Sequence, residues 1–354
     1  MIQCPRCSAS CPDESNYCEE CGTPLRQPAG DVVANEVGEA ASTGAADLLS
    51  CPNCGIKLDA GTEFCPHCGI APGYPDNFQI ADWPDLVALC NRGLRRPKNE
   101  DAVIVKRKGS QSFLALSDGV SHSQRPELAA HRATDAAASV FMEASDGSPK
   151  DLLRAAVARA QSAVAEIPID PNLLEDPPCA TLILALVHPN EIAVAWLGDS
   201  RAYFITSESA RLLTQDHSIL SRLVNEAHVT AGEALLLPGG HALTRAIGGG
   251  VTPEEPDIAI YPVTEPGVLL LCSDGLWNYA PESTALYDLV RSHTPFPPSD
   301  SGSLLPLAEA LVQYACTQGG ADNISVALTT ITPANEQSAI TTHLSLSEEA
   351  PPKS

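Results

Sequence analysis

A chain of 354 residues with 44% hydrophobic content has room for one large buried core plus smaller modules. Its formal charge of −23 excludes binding nucleic acid or an anionic membrane through a general electrostatic field. The N-terminal Met1-Ile-Gln-Cys-Pro-Arg6 has no basic-then-apolar leader pattern and no apolar run reaches membrane-spanning length, so a soluble cytoplasmic protein is expected.

Thirteen cysteines would suit a secreted disulfide scaffold, but eight of them fall in four Cys-x-x-Cys pairs before residue 70. Cys4-Pro-Arg-Cys7 is followed ten residues later by Cys18-Glu-Glu-Cys21, and Cys51-Pro-Asn-Cys54 by Cys65-Pro-His-Cys68 at the same interval. Each pair presents two thiolates on one side of a knuckle, and two knuckles complete a tetrahedron around Zn²⁺ in a reducing compartment. Units this short bury no core, so the metal must supply the folding energy, about 10–16 kcal/mol for small zinc modules. The pairs resemble the double zinc ribbon, with ribbons at 1–26 and 51–72 and two structural zinc ions. Cys11 and His67 read as bystanders to complete four-cysteine sites, which leave no position open for catalysis. Residues 1–72 carry three basic side chains (Arg6, Arg26, Lys57) against ten acidic ones, so docking a protein or acting as a spacer fits better than binding nucleic acid. Residues 27–50, small and polar without periodicity, are expected to be a flexible linker, and 334–354 a disordered tail.

The remaining span, about 83–333, carries the core pattern. Ala102–Arg107 and Ser112–Leu116 predict a strand pair around Lys108-Gly109-Ser110, followed by an alanine-rich helix from Pro126 to about Phe141. Ser148-Pro149-Lys-Asp151 is a capping box opening a helix with Leu153, Ala156, Val157, Ala160 and Val164 on one face. Strands follow at Ala180–Val187, Ile192–Leu197, Arg201–Ile205, Ile258–Tyr261 and Val268–Cys272. A helix through Leu307–Ala315 is stopped by Gly319-Gly320, and Ile324–Leu328 is the last strand. Hairpin-linked strands with helices in blocks indicate an α+β layered sandwich rather than βαβ alternation.

Acids mark the strand ends. Leu114-Ala-Leu-Ser-Asp-Gly-Val120 is an apolar strand ending in Asp118-Gly119, where the glycine lets the backbone turn and frees its carbonyl to face a cleft. Gly267–Trp277 repeats the arrangement at Asp274-Gly275, Asp322 stands just before the last strand, and Glu100-Asp101 lies upstream. Carboxylates gathered this way repel one another without a counter-charge, so a hard divalent metal centre is inferred.

Arg96-Pro-Lys-Asn-Glu-Asp101, Ser117-Asp-Gly119, Leu197-Gly-Asp-Ser-Arg201, Leu213-Thr-Gln-Asp-His-Ser218, Leu243-Thr-Arg-Ala-Ile-Gly248, Cys272-Ser-Asp-Gly-Leu-Trp277 and Gly320-Ala-Asp-Asn-Ile-Ser325 stand in the order that resembles the metal-dependent serine/threonine protein phosphatases, the PPM or type-2C family. The resemblance implies two five-stranded antiparallel sheets packed face to face, flanked by helices, with a two-metal centre at one end. It implies that Asp118 bridges two ions with the Gly119 carbonyl on one, and that Asp274 and Asp322 complete the other. Glu100 and Asp101 would hold water or ligate directly, Arg96 would clamp phosphate, and Asp199 would bind a third ion found in some members. All-oxygen ligands select Mn²⁺ or Mg²⁺ over zinc, and two such ions would activate water for in-line attack on phosphoserine or phosphothreonine in proteins. A Ser/Thr kinase is the opposing activity by analogy alone.

The chain departs from the family pattern at three places. Val120-Ser121-His122-Ser123 replaces the usual glycines, and Val120 stands where some members have a histidine, leaving metal-held water or His122 to protonate the leaving group. Asn278 stands where an aspartate is frequent, which weakens a third site shared with Asp199. His217 reads as a turn support, Cys179 and Cys272 as buried thiols, and Trp277 as packing beneath the metal loop. The competing reading is a phosphatase-like docking module that acts through its ribbons with little turnover.

Overall fold

The computed structural model describes residues 2–3, 10–11, 77–144, 147–170, 176–226, 242–249, 254–293 and 303–333. The chain divides into two units, residues 1–47 and 48–354. In the first, β1 (Ile2–Gln3) pairs antiparallel with β2 (Ser10–Cys11). The eight expected zinc ligands, Cys4, Cys7, Cys18, Cys21, Cys51, Cys54, Cys65 and Cys68, lie outside the described residues, as do 27–50 and 334–354.

The described part of the second unit opens with a hairpin, β3 (Asn77–Trp83) and β4 (Leu86–Asn91). Next come β5 (Asp101–Lys108) and β6 (Gln111–Asp118), then the helices α1 (Pro126–Glu143) and α2 (Pro149–Ala165). The Ser148 hydroxyl accepts from the Asp151 backbone N–H at 3.1 Å, as the capping box requires. The strands continue as β7 (Cys179–Ala180), β8 (Leu182–His188), β9 (Glu191–Leu197), β10 (Arg201–Ile205) and β11 (Ala210–Leu212). Helix Ile219–Asn225, β12 (Ile247–Gly248), β13 (Asp257–Pro262) and β14 (Gly267–Cys272) follow. The helices Asp274–Trp277, Ser283–His293 and Leu305–Gln318 precede β15 (Ile324–Ile331).

These strands make a six-stranded sheet, β11-β10-β14-β15-β4-β3, and a five-stranded one, β13-β9-β8-β6-β5, with a small β12-β7 pair. All pairings are antiparallel. The expectation of two five-stranded sheets is one strand short. Asn77–Trp83 adds an edge strand to the larger sheet, one whose alternation is too brief to stand out in the sequence against the preceding Pro-Gly segment.

Alternate residues of each strand serve different layers. Leu114, Leu116, Ile183, Ala185, Leu269, Leu271 and Ala327 meet between the sheets. Phe113, Ala115, Leu182 and Leu184 face outward under α1 and α2, where Phe113 stacks on Phe141 at 5.1 Å. Leu270, Cys272, Val326 and Leu328 face the opposite way, under helices Ser283–His293 and Leu305–Gln318. The central strands of both sheets are therefore buried on both faces, which is why they read as unbroken apolar runs. No helix among the described residues is long and apolar enough to cross a membrane.

Candidate active site

The sandwich gathers its acids at one end by topology. β5 begins at Asp101 and β6 ends at Asp118, and the two are register partners. β14 ends at Cys272, so Asp274 opens the next short helix behind its cap Ser273. Antiparallel β15 starts beside that point, which brings Asp322 back to the same end. Asp199 lies in the turn between β9 and β10. Arg96, Asp118, Gly119, Asp199, Asp274 and Asp322 all line one cleft of about 540 Å³. Glu100 and Asp101 are buried beside it.

Both Asp-Gly motifs need glycine for space rather than for a reversed turn. Neither glycine has a positive φ. A Cβ on Gly119 would stand 2.4 Å from the Pro126 carbonyl oxygen, and one on Gly275 would stand 1.9 Å from that of Asn323. The sequence-based reason, a sharp turn, is thus replaced by close backbone approach.

Asn323 organises the loop that carries Arg96. Its amide nitrogen donates to the carbonyls of Arg92 (2.7 Å) and Lys98 (3.0 Å), and its oxygen accepts the Glu100 N–H at 2.8 Å. From this loop Arg96 Nη2 reaches Asp322 Oδ2 at 2.5 Å, and Nη1 donates to Ser121 Oγ at 2.9 Å. Lys98, on the same loop, bonds Glu127 at 2.6 Å and lies 3.3 Å from Glu100. Behind Asp101, Ser325 Oγ donates to its Oδ2 at 2.7 Å and lies 2.9 Å from Cys90 Sγ. Ser121, Asn323 and Ser325 were not singled out as site residues by the sequence reading, although the last two stand inside the motif Gly320–Ser325.

Burial, then repulsion from Asp101, Asp274, Asp199 and Asp322, holds the Asp118 carboxyl well above the usual carboxylate range. Burial also pushes Asp101 up to about 8 and Asp274 up to about 6, with Asp274 and Asp322 adding repulsion in the first case and Asp322 in the second. Asp199 is raised by burial and by Asp274. Among the described residues no three His, Cys, Asp or Glu side chains are closed on a common point. The residues nonetheless fit hard divalent cations. The donors are all oxygen, and Asp101 Oδ1 and Asp274 Oδ1 are buried without a hydrogen-bond partner. A buried carboxylate oxygen with no donor is costly unless a cation faces it.

The surroundings of Asp199 are built from Trp277, whose Nε1 donates to the Asp199 carbonyl at 3.0 Å, as packing beneath the loop implies. Arg201 stacks 3.8 Å above the Trp277 ring and pairs with both oxygens of Asp216. His217 is buried and supports its turn, with Nδ1 accepting the Gly198 N–H at 3.1 Å. Asn278 Nδ2 donates to Asp274 Oδ2 at 3.2 Å. Cys272 is buried, but Cys179 is only half-buried and lines the cleft, because its strand is a two-residue pair at the sheet end. His122 is exposed at the cleft wall.

Residues 87–324 match Protein phosphatase 2C, and residues 4–69 match Double zinc ribbon. The serine/threonine phosphatase stp of Listeria welshimeri is 29% identical over 256 residues, covering 67% of this chain and 92% of that protein. The serine/threonine protein phosphatase PstP of Mycobacterium tuberculosis is 29% identical over 240 residues, 68% of this chain and 43% of that one. A crystal structure of the PstP catalytic domain with two manganese ions superposes with a TM-score of 0.57 at 27% identity, covering 70% of this chain and 97% of that one. The chain belongs to the protein phosphatase 2C family and is a PPM-type protein serine/threonine phosphatase.

Proposed function

We propose that Asp118, the Gly119 carbonyl, Asp274 and Asp322 hold two divalent cations, Mn²⁺ or Mg²⁺, and that Glu100 and Asp101 complete their surroundings. The observation that carries this reading is the pair of buried, partnerless oxygens, Asp274 Oδ1 at a cleft that Asp118 and Asp322 also line and Asp101 Oδ1 buried beside it. The manganese ions in the PstP catalytic domain support the choice of metal. Bound there, such ions would supply a water acidic enough to attack phosphorus near neutral pH and positive charge for the phosphoryl oxygens. Arg96 presents a planar fork at the cleft and grips the phosphate of a phosphoserine or phosphothreonine, orienting the ester for in-line displacement. Water's oxygen bonds to phosphorus and gives up a proton as the bond to the side-chain oxygen breaks, and that oxygen leaves as the alcohol after taking a proton from solvent water in the open cleft. Asn278 is turned toward Asp274 as a donor, which argues for two ions rather than a third on Asp199.

In this reading the double zinc ribbon carries two structural Zn²⁺ ions on its eight cysteines, docks a protein partner, and sits with the phosphatase in the cytoplasm. The opposing enzyme is a Ser/Thr kinase. Hydrolysis of p-nitrophenyl phosphate and of a phosphothreonine peptide, with and without Mn²⁺, tests the catalytic core. We expect Mn²⁺-dependent turnover that falls at least about 10³-fold in Asp274→Ala. Turnover without added or bound divalent cation, or unchanged in Asp274→Ala, would overturn it.

A further inference from the structure

We infer that Ser121 is a positioning residue for the phosphate-gripping Arg96. The inference rests on the reading of Arg96 given above. Ser121 Oγ accepts from Arg96 Nη1 at 2.9 Å and donates to Glu100 Oε2 at 2.6 Å. Its hydroxyl has one proton and donates it to the carboxylate, so its lone pair is turned to the guanidinium. Glu100 is fixed in turn, its backbone N–H on Asn323 and its other oxygen 3.3 Å from Lys98.

The backbone around Ser121 is equally anchored. The Val120 N–H donates to the Cys179 carbonyl at 3.0 Å, the Ser123 N–H to the Val120 carbonyl at 2.8 Å, and the Ser123 hydroxyl accepts the Cys179 N–H at 3.2 Å. Ser121 therefore stands on a rigid turn although its side chain is exposed to the cleft.

An arginine side chain has many rotamers, and immobilising it on binding costs affinity unless the free enzyme has already fixed it. Ser121 and Asp322 each engage one hydrogen of the fork, at Nη1 and Nη2. A guanidinium has five N–H donors, so three remain to meet phosphate oxygens. Ser121 thus presets the fork without consuming it. An alanine there removes the Nη1 tether and leaves Asp322 as the single anchor, in a position where no core packing is lost.

The test uses the full chain with Mn²⁺ and a phosphothreonine peptide, comparing wild type, Ser121→Ala, Ser121→Thr, Arg96→Ala and the Ser121→Ala/Arg96→Ala double variant. Ser121→Ala should raise KM and the inhibition constant of inorganic phosphate about five- to tenfold, with the Mn²⁺ activation constant moved less than about twofold. Ser121→Thr, which keeps the hydroxyl, should restore most of the loss. In the Arg96→Ala background, removing the hydroxyl should add less than about twofold. Unchanged KM in Ser121→Ala, an equal loss in both backgrounds, or an effect confined to Mn²⁺ activation would overturn the inference. Arg96→Ala with wild-type KM and phosphate inhibition would instead sink the reading of Arg96 itself.

Discussion

The side-chain amide of Asn323 closes the Arg92–Lys98 loop at both ends, donating to the Arg92 carbonyl at 2.7 Å and to that of Lys98 at 3.0 Å. Asn323 is 2% exposed, and its bond to the Glu100 N–H is buried. Asn323→Ala would leave two carbonyls and the Glu100 N–H short of a partner, at a cost of about 2–4 kcal/mol. Urea unfolding should show that loss. KM for a phosphopeptide should rise as well, because Arg96 rides on the freed loop. A variant as stable as wild type with unchanged KM would contradict the assignment.

The acid cluster ties cation binding to pH. Asp101 and Asp274 are held up to about 8 and about 6 by burial, with neighbouring acids adding repulsion. A carboxyl with a raised folded-state value keeps a proton that the unfolded chain has already lost. Stability of the cation-free protein therefore falls as pH rises from about 4, the unfolded value, toward about 8. Divalent ions must displace those protons, so they bind more tightly across that rise. Thermal unfolding should show a larger Mn²⁺-induced increase in Tm near pH 8 than near pH 6. An equal or reversed increment would count against a carboxylate-held ion.

His131, on α1, supplies the opposite sign. Burial pushes its imidazole down to about 3, so it stays neutral in the folded protein. The unfolded chain takes a proton below about 6.5, and stability is lost as pH falls from there toward 3. His131→Gln should lose less stability than wild type between pH 7.5 and 5.5, as read from urea midpoints. Parallel losses in the two proteins would show that His131 does not contribute.

Much of this arrangement was legible in the sequence because it is local. Asp118 and Asp274 end apolar runs, and strand ends in an antiparallel sandwich must lie at its edges, so their convergence follows from the pattern together with the resemblance. What was hidden is what depends on distant backbone. Nothing around Asn323 announces that its amide spans 231 residues to reach Arg92. Gly119 and Gly275 look like turn glycines until the carbonyls of Pro126 and Asn323 are seen pressing on them. The strand Asn77–Trp83 escaped because an edge strand needs only one buried face, which Phe78 and Ile80 provide in too short a run.

The two metal chemistries should be separable. Elemental analysis of the full chain is expected to give two zinc ions that survive dialysis against a mild carboxylate chelator, while Mn²⁺ is lost. Cys51→Ser should lower zinc to one with Mn²⁺-dependent turnover retained. Zinc-free protein on purification under reducing conditions would refute the ribbon assignment.

The most direct test of the metal centre is calorimetric titration of Mn²⁺ into the folded full chain and its Asp118→Asn variant, with circular dichroism confirming the fold of each. Wild type should take up two ions through the cleft, and the variant should lose that uptake together with turnover. Mn²⁺ uptake of the same stoichiometry and affinity in Asp118→Asn would contradict the account.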